Sequence, residues 1–145
     1  VKRRIKKLSQ LVRVEINRIT DSLIPSLKSR KAIAGAYLFG SVLDQCRPDS
    51  DIDVGILLVP GIAYAEAENI LEKLYLELPP VHKHPYDIII LNHCSAIFAY
   101  RVITQGRLIY AQDMEPVTDF MENISRQRAE NYPRYRRALE LIAKG

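Results

Sequence analysis

The sequence predicts an α/β fold, a sheet with helices packed on it, and three observations carry that expectation. Three short apolar runs, at residues 33–39, 52–59 and 86–91, have the length and the aliphatic content of buried strands. Between the last two, residues 63–78 carry Ala67, Ile70, Leu71, Leu74 and Leu78 on one side of a helix. Both flanks read as helix, so helices and strands alternate along the chain instead of separating into blocks.

Taken in order, residues near 2–20 place Ile5, Leu8, Val12, Ile16 and Ile19 on one stripe with charges between them. This predicts an amphipathic helix, which Asp21, Ser22 and Pro25 disturb before a second short helical piece reaches Lys28. In the strand at 33–39, the small residues Ala34, Gly35 and Ala36 mark a close approach by another element. A short helix is expected to start at Ser41 and to end before Pro48. Pro60-Gly61 breaks the strand at 52–59, and Pro79-Pro80 stops the helix at 63–78. Ser95 can cap a helix over 96–105, and Gly106 can end it. Residues 108–111 read as a short strand. Pro116 opens a last helical region to Ala143, which Pro133 should kink or divide. There is no internal repeat and no linker composition. Residues 1–145 are therefore expected to form one domain, with a core over 33–91 and flanking helices over 1–30 and 115–145.

Composition narrows the function. With 145 residues, 48% hydrophobic and 26% charged, the chain is long enough for a real core and ordinary for a globular protein. No run is apolar enough to span a bilayer and no signal-peptide pattern opens the chain, so no membrane association and a cytoplasmic location are expected. Cys46 and Cys94 lack metal-ligand spacing and are read as reduced thiols. The net charge of +4 is concentrated in Lys2, Arg3, Arg4, Lys6 and Lys7, and in Arg126, Arg128, Arg134, Arg136 and Arg137. No stacking aromatics interleave these residues in a strand pattern. Solvated helix faces or an acidic protein partner are therefore favoured over nucleic acid.

The chemistry concentrates between Tyr37 and Leu58. An apolar run ends abruptly in Gly40-Ser41, and a second begins with Asp51-Ile52-Asp53. Alternation along a strand puts Asp51 and Asp53 on the same side, where their charges repel. A fold keeps such a pair when a cation sits between them, most often a divalent ion with oxygen ligands. Gly40 lets backbone come close to a ligand. Ser41 offers a hydroxyl and an N–H where a helix would start and bind an anion. Phosphate on one side and metal on the other describe a nucleoside-triphosphate site. Asp87 is a third carboxylate, at the entry of an otherwise apolar strand. It needs a partner: the same metal site, a salt bridge to Lys83 or Arg47, or solvent at an exposed strand end.

Leu38-Phe39-Gly40-Ser41 followed by Pro48-Asp49-Ser50-Asp51-Ile52-Asp53 resembles the signature of the nucleotidyltransferase superfamily related to DNA polymerase beta. The small size resembles its minimal members, the MNT antitoxins found beside HEPN toxins. The resemblance covers residues 33–91 well and the flanks loosely. Two departures stand out. The gap from Ser41 to Asp51 is one residue shorter than the family's usual form, and Val42-Leu43-Asp44 stands where a small-Arg-Gly step is common. The resemblance implies a polymerase-beta-like palm with a mixed sheet and a C-terminal helical region. It implies Asp51, Asp53 and Asp87 as catalytic residues and as ligands of two Mg²⁺ ions, with Mn²⁺ an alternative, and Gly40 and Ser41 as nucleotide-binding residues. It further implies ATP as substrate, AMP transfer to a tyrosine hydroxyl of a HEPN-type toxin, and assembly with that toxin. The alternatives are a non-catalytic antitoxin that neutralises by complex formation, and a transferase acting on a small molecule or an RNA end.

Other candidates carry less. His82-x-His84 reads as a solvent-exposed loop. His93 lacks a catalytic partner, and Cys46 is expected to be accessible in the phosphate-side loop. Tyr110, Tyr132 and Tyr135 are expected to pack on helices.

Overall fold

The structure is a computed structural model that describes residues 11–144. The basic cluster from Lys2 to Lys7, with Ile5 and Leu8 of the expected first helix, lies outside the described residues, as do the side chains of Tyr132 and Tyr135. The elements are α1 (Ile16–Lys28), β1 (Ile33–Phe39), a 3-10 turn (Gly40–Leu43), β2 (Ile52–Leu58), α2 (Tyr64–Glu77), β3 (Tyr86–Ile90), a second 3-10 turn (Leu91–His93), α3 (Ala96–Gln105), β4 (Arg107–Ala111) and α4 (Met114–Lys144). The four strands form one mixed sheet in the order β3-β2-β1-β4. β1 is antiparallel to both β2 and β4, and β2 is parallel to β3.

The α/β expectation is met, because β1 and β2 are apolar on both faces and each face is covered. On one face, Ala36, Leu38, Val54, Ile56 and Ile88 meet Ile19, Leu23 and Leu27 of α1 and Ala67, Ile70 and Leu74 of α2. On the other, Tyr37 with Phe39 and Ile89 meets Ala99, Val102 and Ile103 of α3 and Ile124 of α4. Neighbouring residues of one strand thus serve opposite cores, as a two-residue period requires. Gly35 is where the close approach falls. A Cβ there would come within 3.0 Å of both the Tyr110 carbonyl and Val117 Cγ2.

Several expectations change. The helix foreseen over 2–20 is not one element. Val12 exchanges backbone hydrogen bonds of 2.8 and 2.9 Å with Cys46, and α1 starts only at Ile16. That pairing buries Cys46 to 2% exposure, so it is not the accessible thiol that the sequence suggests. Asp21, Ser22 and Pro25 do not interrupt α1, which runs through Pro25. An internal proline costs about 3 kcal/mol. Fully burying Ile19, Leu23 and Leu27, all at 0% exposure, returns about 1.5–3 kcal/mol for each. Of the two outcomes expected at Pro133, division does not occur, since α4 runs through it as one helix. The helix expected from Ser41 to Pro48 shortens to the 3-10 turn Gly40–Leu43, because the chain must return to pair Cys46 with Val12.

Leu74 fastens the crossover helix α2 to the sheet with no solvent exposure. Leu74→Ala is expected to cost about 2–5 kcal/mol of unfolding free energy. Urea denaturation checks this, and a loss below about 1 kcal/mol would show that α2 is held mainly by its ends.

Candidate active site

Register brings the carboxylates together. Asp53 on β2 lies opposite Phe39 of antiparallel β1 and opposite Asp87 of parallel β3. Directly paired residues share a face, so Phe39, Asp53 and Asp87 project from the same side of the sheet. This is the side that α3 and α4 cover. Their cover reaches Phe39, whose ring meets Phe98 edge-on with centroids 5.9 Å apart, while Asp87 remains exposed. The carboxylates thus sit on the sheet beside the apolar cover. Asp51 lies just before β2 with an exposed side chain.

Asp53 is the stressed member. Partial burial, then the charges of Asp87 and Asp51, then a hydrogen bond with Asp87 raise its pKa to about 6. Repulsion between close carboxylates is the condition that a bound cation relieves. Among the described residues, no three His, Cys, Asp or Glu side chains converge tightly enough to hold an ion as they stand. Asp53 and Asp87 form the close pair, and Asp51 is a charged neighbour set further out. The salt bridges considered for Asp87 do not form, since Arg47 lies 3.8 Å from Asp49 instead.

The Gly40-Ser41 turn borders this pair. Gly40 has φ +76, and a Cβ there would collide with Asp53 Oδ2. Glycine is therefore required twice, for the left-handed backbone and for the space beside the carboxylate. Ser41 is exposed in the first positions of the turn, where N–H groups have no partner within the turn. Asp44, which closes the turn, faces Arg13 at 3.8 Å across exposed surface, a contact worth little.

Three supporting residues escaped the sequence reading. His84 is buried at 4% exposure, not in a solvent-exposed loop, and its Nδ1 lies 2.7 Å from the Ser50 carbonyl. A carbonyl only accepts, so Nδ1 carries the proton. His82 and Lys83, with φ 49 and 70, form the turn that throws His84 inward and fixes the residue before Asp51. His82 stays exposed, 2.6 Å from Arg18 Nη1. Asn92 closes the other end of β2, accepting from the Leu58 N–H at 2.8 Å and donating to its carbonyl at 3.1 Å. Tyr75 of α2 accepts from the Ile88 N–H at 2.7 Å and donates to the Ile88 carbonyl at 3.2 Å. Burial and the neighbouring Asp87 carboxylate push its phenol up, while the bond to Ile88 pulls it down. A tyrosine at the end of an amphipathic helix leaves no periodic signal that would reveal this contact. His93 stacks on Tyr64 at 5.0 Å and takes no part in the carboxylate cluster. Burial pushes the Cys94 thiol up.

A profile of the family described as Polymerase beta, Nucleotidyltransferase matches residues 21–115. A search of curated proteins finds no match. Among solved structures, the chain resembles one from a toxin–antitoxin crystallised with AMP-PNP, at 20% identity and TM-score 0.60, covering 89% of this chain and 99% of the other. It also resembles one from the toxin–antitoxin MntA–HepT, at 18% identity and TM-score 0.55, covering 89% and 95%. A third match comes from the tri-AMPylated HEPN toxin of Shewanella oneidensis in complex with MNT antitoxin, at 19% identity and TM-score 0.56, covering 86% and 97%. At these identities the likeness is one of fold, and it agrees with the mixed sheet and its covering helices.

The raised Asp53 pKa has a consequence for stability. The native state holds this proton more tightly than the unfolded chain, whose value is near 3.8. The resulting stabilisation is complete below about pH 4, falls as pH rises to about 6, and is absent above. Asp53→Asn should therefore raise stability at pH 8 in EDTA by about 1–2 kcal/mol, after discounting for solvent screening, and the gain should vanish toward pH 4. Thermal melts across that range test this. A gain independent of pH would place its cause elsewhere than in the Asp53 charge.

Proposed function

The chain belongs to the polymerase beta nucleotidyltransferase family, and from that premise we propose that it is a divalent-metal-dependent nucleotidyltransferase. It moves AMP from ATP to a tyrosine hydroxyl of a HEPN-type toxin and acts as the antitoxin. The observation that carries this reading is the Asp53–Asp87 pair held in register beside the Gly40-Ser41 turn. It gives a concentrated negative site next to free backbone donors. The fold likeness to MNT antitoxins supports the choice of partner, and no helix among the described residues is long and apolar enough to cross a membrane.

In this reading Asp51, Asp53 and Asp87 would hold Mg²⁺ or Mn²⁺. Two-metal chemistry of this kind polarises the α-phosphate and lowers the pKa of the attacking hydroxyl. The chain's own groups do the rest. Ser41 Oγ and the N–H groups of the turn bind the terminal phosphates and keep the triphosphate extended for in-line attack. Gly40, having no side chain, lets those phosphates approach the carboxylates. Asp87 favours ionisation of the acceptor hydroxyl, whose oxygen bonds to the α-phosphorus as the bond to the β-phosphate oxygen breaks. Pyrophosphate leaves and the hydroxyl proton passes to solvent. Phe39 and Phe98 form an apolar wall beside the carboxylates.

A second reading, a non-catalytic antitoxin, is favoured by one observation. The phosphate-side segment is a short 3-10 turn followed by Asp44, not a helix, and so offers an anion fewer aligned donors.

Paired measurements decide between them. Asp87→Asn should retain ATP binding in Mg²⁺ while AMP incorporation into the toxin falls about 10²–10⁴-fold. Asp53→Asn should lose both. Calorimetry and intact mass of the toxin report the two quantities. Wild-type rates in Asp87→Asn would remove that residue from the chemistry. A wild-type protein that blocks the toxin without an AMP-sized mass gain would establish the binding-only reading.

A further inference from the structure

Among the described residues, β3 is the outer strand of the sheet, paired on one side only. Its outward backbone groups would ordinarily face water or another chain. At Ile88 they do not, because one hydroxyl from the next element caps both. The Ile88 N–H donates to Tyr75 Oη at 2.7 Å, and Tyr75 Oη donates to the Ile88 carbonyl at 3.2 Å. The N–H belongs to the peptide that joins Asp87 to Ile88, and the carbonyl to the peptide after it, so the grip begins at the residue whose side chain must lie opposite Asp53. Tyr75 comes from the last turns of α2, anchored one residue earlier by fully buried Leu74. The hydroxyl is therefore fixed by the core and not by the strand it holds. The Asp87 carboxylate is near enough to help push the Tyr75 phenol up. Tyr75 itself is 44% exposed, so burial of its ring does not account for a tyrosine here in place of phenylalanine.

We propose that Tyr75 is a positioning residue for Asp87: by hydrogen-bonding both backbone groups of Ile88 on the open edge of β3, its hydroxyl sets the depth and orientation at which the Asp87 carboxylate meets Asp53. The inference deepens the proposed function and rests on its assignment of Asp87. Asp87 is exposed and lies on an edge strand. An edge strand held only by its ladder to β2 would let Asp87 drift, and a carboxylate misplaced by about 1 Å costs a large part of its effect. The hydroxyl removes that freedom without covering the carboxylate.

The test uses Tyr75→Phe, which deletes one oxygen, with Leu76→Ala as a control on the same turn, where Leu76 is 81% exposed. Three quantities are read. Amide exchange at Ile88, followed by NMR without nucleotide or metal, should accelerate in Tyr75→Phe and not in Leu76→Ala. Mn²⁺ affinity, measured by electron paramagnetic resonance, should fall about 10–100-fold, as for other groups that orient a metal-binding carboxylate. AMP transfer should lose kcat with little change in KM for ATP, and Tyr75→Phe should add nothing to the loss in Asp87→Asn. Unchanged Mn²⁺ affinity together with additive losses in the double variant would overturn the proposal. So would an Ile88 amide that already exchanges freely in the wild type, a result that needs no variant. If the wild type transfers no AMP, the exchange and Mn²⁺ measurements still decide the role of Tyr75, so its failure and the failure of the catalytic reading are distinguishable.

Discussion

The structure depends on one electrostatic constraint: a sheet register that sets Asp53 directly beside Asp87. Two carboxylates so placed cannot both be charged without cost, and the partial burial of Asp53 raises that cost. Much of the nearby chain is arranged to hold them there. The turn that follows β1 supplies Gly40, where any side chain would strike Asp53. α2 carries the chain from β2 to a strand parallel to it, the one connection that lets Asp53 and Asp87 lie level. α3 and α4 cover the same sheet face and meet Phe39, the register partner of Asp53.

The cost is borne by apolar packing and by polar groups at the strand ends. β2 is buried at six of its seven residues, leaving Asp53 as the partly open one. Its entry is held by the contact from His84 to the Ser50 carbonyl, and its exit by the side-chain amide of Asn92 on Leu58. A strand fixed at both ends cannot relieve the repulsion by sliding, since a one-residue slip would turn its apolar side chains to the wrong face. Asp53 is thus a carboxylate held where its charge lowers stability above about pH 6.

Most of this architecture was legible in the sequence, because long apolar runs bounded by Gly, Pro and Asp leave few choices. The strands at 33–39, 52–59 and 86–91 and the helix at 63–78 appear within a residue or two of expectation. Misreadings fell where tertiary contacts override local signals. Pro25 looks like a helix breaker, yet Ile19, Leu23 and Leu27 hold α1 together across it. Ser41 looks like a helix start, yet the pairing of Cys46 with Val12 bends the chain away after one turn. His84 looks like a surface histidine because it follows Pro79-Pro80 in a loop and comes directly after His82 and Lys83. Its burial follows from left-handed backbone at His82 and Lys83, which residue type does not announce. Within the site, the place of Asp53 near the start of its strand was readable, as was that of Asp87 at its strand entry, whereas Asp51 falls before β2 and not on it. Which two carboxylates form the close pair was not, because inter-strand register is invisible to any single segment.

The crossover through α2 also bears on folding kinetics. Asp53 and Asp87 lie on strands that pair only across an intervening helix, so their repulsion arises from a non-local contact and not within either strand. Wherever such a contact is absent from the folding transition state, its cost shortens the lifetime of the folded state and leaves the folding rate nearly unchanged.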